Sequence, residues 1–316
     1  MKAIAINDFG GKEKLHFQEF PTPMPSDNEV LIQIHYAGVN PVDWKIREGY
    51  LKKVFPCQFP LIPGWEVSGK VAAVGQNVNH LKIGTEVFAY IRKPLVQWGA
   101  YAEYVTFEAV HVAIKPKKLT FAEAASFPLA ALTAWQALFD FAHLKKGETI
   151  LIHAGAGGVG SFAIQLAKYA GAKILTTASS VNHDYVKNLG AEYPIDYQQK
   201  DFVQAARASF PEGLDVVLDS VGGPTLQKSL DLLKPGGRLV SIVEKLNPVL
   251  QEKHRILFGH VFVSPSGEQL KILSTLIEQG HIVSPALTEF PLGLAGEAQE
   301  LNRQGHTRGK IVLKVI

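Results

Sequence analysis

The sequence predicts a doubly wound parallel α/β sheet inserted into a mostly β domain. Residues 1–115 alternate apolar and polar positions, as in EVLIQIHYAGV (29–39) and part of SGKVAAVG (68–75), between turns rich in Gly, Pro and Asn. That alternation suits an antiparallel sheet or barrel with one wet face. From about Thr120, short apolar runs alternate with helical segments, the pattern of a parallel sheet covered by helices. The closing run GKIVLKVI (309–316) is strand-like, and too little sequence remains there for a further domain. It is therefore expected to return to the first sheet.

At 316 residues the chain has room for two domains of roughly 150 residues each. The expected divisions are 1–122 and 264–316 for the β domain and 123–263 for the α/β domain. Hydrophobic residues make up 47%, which excludes compositional disorder. A net charge of +3 lacks the basic excess of a dedicated nucleic-acid binder. The single cysteine, Cys57, excludes an internal disulfide and a four-cysteine zinc site. MKAIAINDFGG has no secretory apolar run. The most apolar stretch, 124–139, is shorter than a membrane span, is interrupted by Pro128, and is expected as buried helix. These features point to a reducing cytoplasm.

In the second region the expected strands are 149–155, 173–179, 215–222 and 237–243, with HVFVS (260–264) as a fifth. Helical segments separate them, and Gly171, Gly190 and Gly236 are expected as left-handed caps. AGAGGVGS (154–161) places Gly155, Gly157 and Gly160 in G-x-G-x-x-G spacing. The motif directly follows a strand and opens a helix, which is the context that gives it weight. Gly155 permits the tight turn, Gly157 lets the backbone approach a pyrophosphate, and Gly160 lets helix pack on strand. The N–H groups of Gly158, Val159 and Gly160 then face a phosphate at the positive end of the helix dipole.

An NAD-preferring site places a carboxylate after the second strand. Here that strand runs into TTASSVNH. Ser179, Ser180 and His183 offer donors instead, which favours NADPH over NADH. The alternative is that the serines cap the next helix.

On these residues the chain resembles the quinone oxidoreductase branch of the medium-chain dehydrogenase/reductase superfamily. GETILIHAGAGGVGSFAIQLAK (147–168) carries the signature, and NPVDWKIREG (40–49), PGWEVSGKVAAVG (63–75), LDVVLDSVGG (214–223) and HTRGKIVL (306–313) extend it. The resemblance implies a Rossmann sheet inserted in a GroES-like catalytic domain. It also implies Thr133 near the nicotinamide, Tyr197 near the adenosine phosphate, Ser220 and Val221 in a ribose loop, and Arg308 and Lys310 beside the cofactor.

Zinc-dependent members of that superfamily hold zinc with Cys, a Gly-His-Glu block and a later Cys. In this sequence those first positions read Asn40 and Gly64-Trp65-Glu66, and the 11 histidines form no H-x-x-x-H pair. An indole has no lone pair for a metal, so no zinc is expected. Without a Lewis acid, an electron-poor quinone or enone is the fitting acceptor, its developing oxyanion held by hydrogen bonds. The resemblance implies the same activity, and N-P-V-D-x-K-x-R-x-G is closer to alkenal/enone reductases. Expected catalytic groups are Asn40, Lys45 and Tyr50, with Asp43 and Trp65 at the substrate pocket. A homodimer acting on a small electrophile is expected, without nucleic-acid or membrane partners. A reductase of simple carbonyls and a non-catalytic NADPH-binding protein stay open as alternatives.

Overall fold

The computed structural model describes Met1–Ile316, which divide into two compact units. Unit 1 comprises Met1–Leu132 and Ser264–Ile316; unit 2 is Thr133–Val263. The division between Leu132 and Thr133 falls inside a helix, PLAALTAW, which continues without a break.

In unit 1 the chain forms β1 (Lys2–Ala5), β2 (His16–Glu19), β3 (Glu29–Val39), α1 (Pro41–Arg47), β4 (Cys57–Ile62), β5 (Glu66–Val74), β6 (Glu86–Tyr90), β7 (Val96–Trp98), β8 (Tyr104–Glu108), β9 (Val112–Ile114), α2 (Phe121–Ala125) and the start of α3 (Pro128–Trp135). Unit 2 contains β10 (Thr149–Ile152), α4 (Gly158–Ala170), β11 (Lys173–Thr177), α5 (His183–Leu189), β12 (Tyr193–Ile195), α6 (Phe202–Ser209), β13 (Leu214–Asp219), α7 (Gly223–Ser229), β14 (Leu233–Ser241), α8 (Pro248–His254) and β15 (Leu257–His260). Unit 1 closes with α9 (Gly267–Glu278), β16 (Leu287–Pro291), α10 (Ala295–Arg303) and β17 (Lys310–Lys314).

Strand β3 organises unit 1. Its first half pairs antiparallel with β8, its length with β5, and its last residues, Tyr36–Val39, with β17. The closing strand thus returns to the first sheet, as its isolation in sequence predicts. Val30, Ile32, Ile34, Ala37 and Val39 from β3 join Ile311 and Leu313 from β17 in one buried cluster. The i, i+2 spacing puts the side chains of Val30, Ile32 and Ile34 on one face, and a bulge between Ile34 and Tyr36 brings Ala37 and Val39 back to it.

Unit 2 has six parallel strands in the order β12-β11-β10-β13-β14-β15. This is the doubly wound order that reverses between the first and fourth strands, where ligands bind at the carboxyl ends. Three details differ from the sequence reading. The short strand β12 lies outside the expected runs, since Tyr193-Pro194-Ile195 is too brief for a period. The fifth strand is Leu257–His260, not 260–264. Gly236 (φ 80°) bends the backbone within β14 instead of capping a helix, whereas Gly171 (φ 77°) is a left-handed cap.

Helix α1 is clamped to α10 by a buried guanidinium. Arg47 is fully buried and donates to Glu48 Oε1 (2.7 Å), Glu300 Oε1 (2.8 Å), Gln299 Oε1 (2.9 Å) and Gly10 O (3.2 Å). Removing one member of a buried pair strands the other's charge, at about 3–5 kcal/mol. Because Glu300 keeps partial access to water, Arg47→Met is expected near the lower end, about 3 kcal/mol. Urea unfolding followed by tryptophan fluorescence checks this, since Trp44, Trp65 and Trp98 all lie in unit 1.

Candidate active site and dinucleotide site

Asn40 follows β3 and caps α1, with Pro41 at the first helical position, where its missing N–H costs nothing. Asp43 Oδ2 accepts the Asn40 backbone N–H at 2.8 Å and the Tyr101 hydroxyl at 3.1 Å. The Asn40 side chain is 3% exposed, and its Nδ2 donates to Glu66 Oε1 at 2.7 Å. Glu66, at the start of β5, is fully buried, and its Oε2 accepts the Leu129 N–H of α3 at 2.7 Å. Gly38 makes room for this carboxylate, because a Cβ there would lie 2.2 Å from Glu66 Oε1.

Lys310, expected at the cofactor, sits in this cluster. It is 4% exposed and donates to Asn40 Oδ1 at 2.5 Å and to Glu66 Oε1. Arg308 is exposed. Asp43 and Trp65, expected to line a pocket, are 0% and 4% exposed. Asp43 therefore supports the loop from behind. Trp65 packs edge-on against Phe55 and tilted against Tyr90.

Lys45, half-buried on α1, has its Nζ 5.6 Å from the Trp44 ring centroid. Burial lowers its pKa. Tyr50 is 65% exposed and stands edge-on to Trp44. Glu66 and Tyr101 were not singled out from sequence. The signal for Glu66 was its place in Gly64-Trp65-Glu66; Tyr101 had none.

In unit 2, the turn after β10 carries Ala154 at φ 52° and then the three glycines. A Cβ on Gly155 would lie 1.9 Å from Thr176 Oγ1, and one on Gly160 2.3 Å from Ala154 O. Internal packing therefore requires both. Gly157 differs: a Cβ there would meet only Ala154 O at 3.3 Å, and its φ of −79° suits any residue. The protein itself presses on this position only through the Ala154 carbonyl; an external group approaching the backbone is the stronger reason for glycine. Gly157 is the N-cap of α4, whose first amides lack intrahelical acceptors. The residues thus fit a dinucleotide pyrophosphate.

The loops after β10, β11 and β13 leave the same end of the parallel sheet. Ser179 Oγ accepts from Asn182 Nδ2 at 3.1 Å, so its own hydrogen remains to donate. Ser180 is exposed, and His183 Nε2 lies 3.2 Å from Ala178 O. Ser220 Oγ donates to His153 O at 2.9 Å, and the Val221 N–H to Asp219 Oδ1 at 3.0 Å. Tyr197 is 49% exposed, whereas Thr133 is buried within α3. Beneath the glycine turn, the buried His153 bridges Thr177 Oγ1 and Ser229 Oγ. Burial depresses its pKa, so it is a neutral strut.

Two outcomes are expected. Gly157→Val loses dinucleotide binding with only a small drop in thermal midpoint, whereas Gly160→Val loses far more stability; calorimetry beside a binding titration separates them. The second concerns pH. Burial pushes the Asp43 carboxyl from 3.8 up to about 7. A carboxyl raised on folding favours the fold below its unfolded pKa, and that advantage erodes as pH climbs toward the folded value. Asp43→Asn should therefore gain on the native protein between about pH 4 and 7, by a few kcal/mol. Paired thermal melts across that range check the sign. His153 acts oppositely, losing stability as pH falls below 6.5, but it is common to both proteins and cancels.

Two family models match the chain: "Alcohol dehydrogenase GroES-like domain" over residues 26–117 and "Zinc-binding dehydrogenase" over residues 189–313. The 2-methylene-furan-3-one reductase of Solanum lycopersicum is 36% identical over 327 residues, covering 100% of this chain and 79% of that protein. The NADPH-dependent alkenal/one oxidoreductase of Arabidopsis thaliana is 35% identical, over 99% of this chain and 79% of the relative. Among solved structures, the quinone oxidoreductase from Coxiella burnetii superposes with a TM-score of 0.89 at 38% identity, covering 100% of this chain and 99% of that one. With a GroES-like unit, a Rossmann unit and these relatives, the chain is an oxidoreductase of the medium-chain dehydrogenase/reductase superfamily, in the branch of the quinone and alkenal/enone oxidoreductases.

Proposed function

We propose that this chain is a zinc-independent, NADPH-dependent reductase of quinones or α,β-unsaturated carbonyls. The observation that carries the reading is the Asn40 amide, which stands at the position of a superfamily zinc ligand with Lys310 on its oxygen and Glu66 on its nitrogen. A thiolate, imidazole or free carboxylate is what zinc requires. Here the positions hold an amide and an indole, and the one carboxylate already carries an ammonium. The description of the matching family model as zinc-binding thus does not extend to these side chains.

Bound NADPH supplies a hydride to the conjugated carbon of the acceptor. Unit 2 holds the dinucleotide through the α4 amides and the open backbone at Gly157, with Ser179, Ser180 and His183 free of any carboxylate that would repel a 2′-phosphate. The "NADPH-dependent" relative supports the same preference. In unit 1, Asn40 offers its second amide hydrogen to the oxygen that becomes negative. Lys45, its ammonium made more acidic by burial, supplies the proton, with Tyr50 or water as the alternatives. The acceptor must be electron-poor beforehand, because hydrogen bonds alone stabilise the oxyanion.

In this reading the enzyme works in the cytoplasm, where the half-buried Cys57 stays reduced. No helix is long and apolar enough to cross a membrane. The unpaired edge of β15 supports assembly as a homodimer.

NADPH consumption with a short enone, a naphthoquinone and a simple ketone tests the function. Turnover is expected with the enone or quinone, none with the ketone, and chelators should leave the rate unchanged. Tight NADPH binding without turnover of any acceptor would make the protein a non-catalytic binder.

A further inference from the structure

We propose that the Lys310 ammonium is the resident cation of this centre and a positioning residue: it occupies the electrostatic role of the metal and locks Asn40 as a hydrogen-bond donor. This rests on the reading of Asn40 as the oxyanion donor.

Lys310 arrives on β17 from the far end of unit 1. Its three N–H donors meet three acceptors: Asn40 Oδ1 at 2.5 Å, Glu66 Oε1, and Val39 O at 3.4 Å. An ammonium has no lone pair and a carboxylate no hydrogen. The amide between them therefore has one permitted orientation, oxygen toward Lys310 and nitrogen toward Glu66. Glu66 takes only one of the two Nδ2 hydrogens. The other has no acceptor within the chain and is left to donate to a bound group. Without the Lys310–Glu66 pair the amide could flip and present an oxygen, which would repel a developing oxyanion.

The same geometry excludes a second cation. Glu66 already accepts from Lys310, Asn40 and the Leu129 amide, and no group of three or more His, Cys, Asp or Glu is placed to hold a metal. Three acceptors converging on one nitrogen suit a compact ammonium, and a planar guanidinium would not satisfy them.

The test compares native protein with Glu66→Gln, Lys310→Met and the double variant Lys310→Met/Glu66→Gln, which leaves no unpaired buried charge. Each is measured for thermal midpoint, NADPH Kd, and kcat and KM on an enone or quinone; zinc is quantified in the native protein before and after incubation with zinc sulfate. The double variant is expected to fold and to keep its NADPH Kd within about twofold, while kcat falls about a hundredfold, the cost of losing an oxyanion donor. KM should move far less. Glu66→Gln alone, which keeps the ammonium on Asn40, should lose less kcat than the double variant. No stoichiometric zinc should bind.

A double variant with near-native kcat would overturn the inference and leave Lys310 a structural ion-pair partner; native activity would still uphold the reductase reading. Stoichiometric zinc in the native protein would also overturn it, and this arm needs no variant to fold. A native protein inactive on every acceptor would defeat the functional reading and this inference together.

Discussion

The buried carboxylate of Glu66 is the constraint on which unit 1 depends. Fully withdrawn from water, an ion would be prohibitively costly unless its oxygens were satisfied. They are satisfied by three parts of the chain far apart in sequence: Asn40 at the end of β3, Leu129 in α3, and Lys310 in β17. Each must arrive in register, because each brings a donor that the carboxylate cannot do without. Asp43 and Tyr101 form a second layer, holding the Asn40 backbone from the other side.

Division of labour follows from this. Unit 2 builds its site from backbone: a sharp turn, three glycines and free amides. Unit 1 builds its own from side chains locked by charge. A backbone site tolerates variation in nearly every side chain around it, whereas a charge-locked site tolerates almost none among its members.

The same distinction explains what was legible in the sequence. The glycine motif could be read because its spacing and its place between a strand and a helix are local, although what demands glycine at Gly155 is Thr176 of the neighbouring β11. Strand runs of the parallel sheet were legible from their continuous apolar character, though three-residue β12 was too short to carry a period. That Lys310 pairs with Asn40 and Glu66 was not legible, because its neighbours in sequence are a charged turn and nothing local says that β17 brings it beside Asn40. Asp43 and Trp65 were assigned to a pocket from their proximity to Asn40 in the chain or motif. Which way a side chain points at the end of a strand is decided by tertiary packing. Tyr101 offered no pattern at all, since a tyrosine whose hydroxyl satisfies a buried acid looks like any other aromatic.

Lys310 lies downstream of all of unit 2 in the chain, while Asn40 and Glu66 lie upstream. During translation the Rossmann unit, contiguous and complete by Val263, has everything it needs to fold as it emerges. The half-built β domain has already left the ribosome by then, with Glu66 lacking its countercharge. The glycine turn after β10 can thus form during synthesis, whereas the Asn40–Glu66–Lys310 cluster can close only once β17 has joined β3.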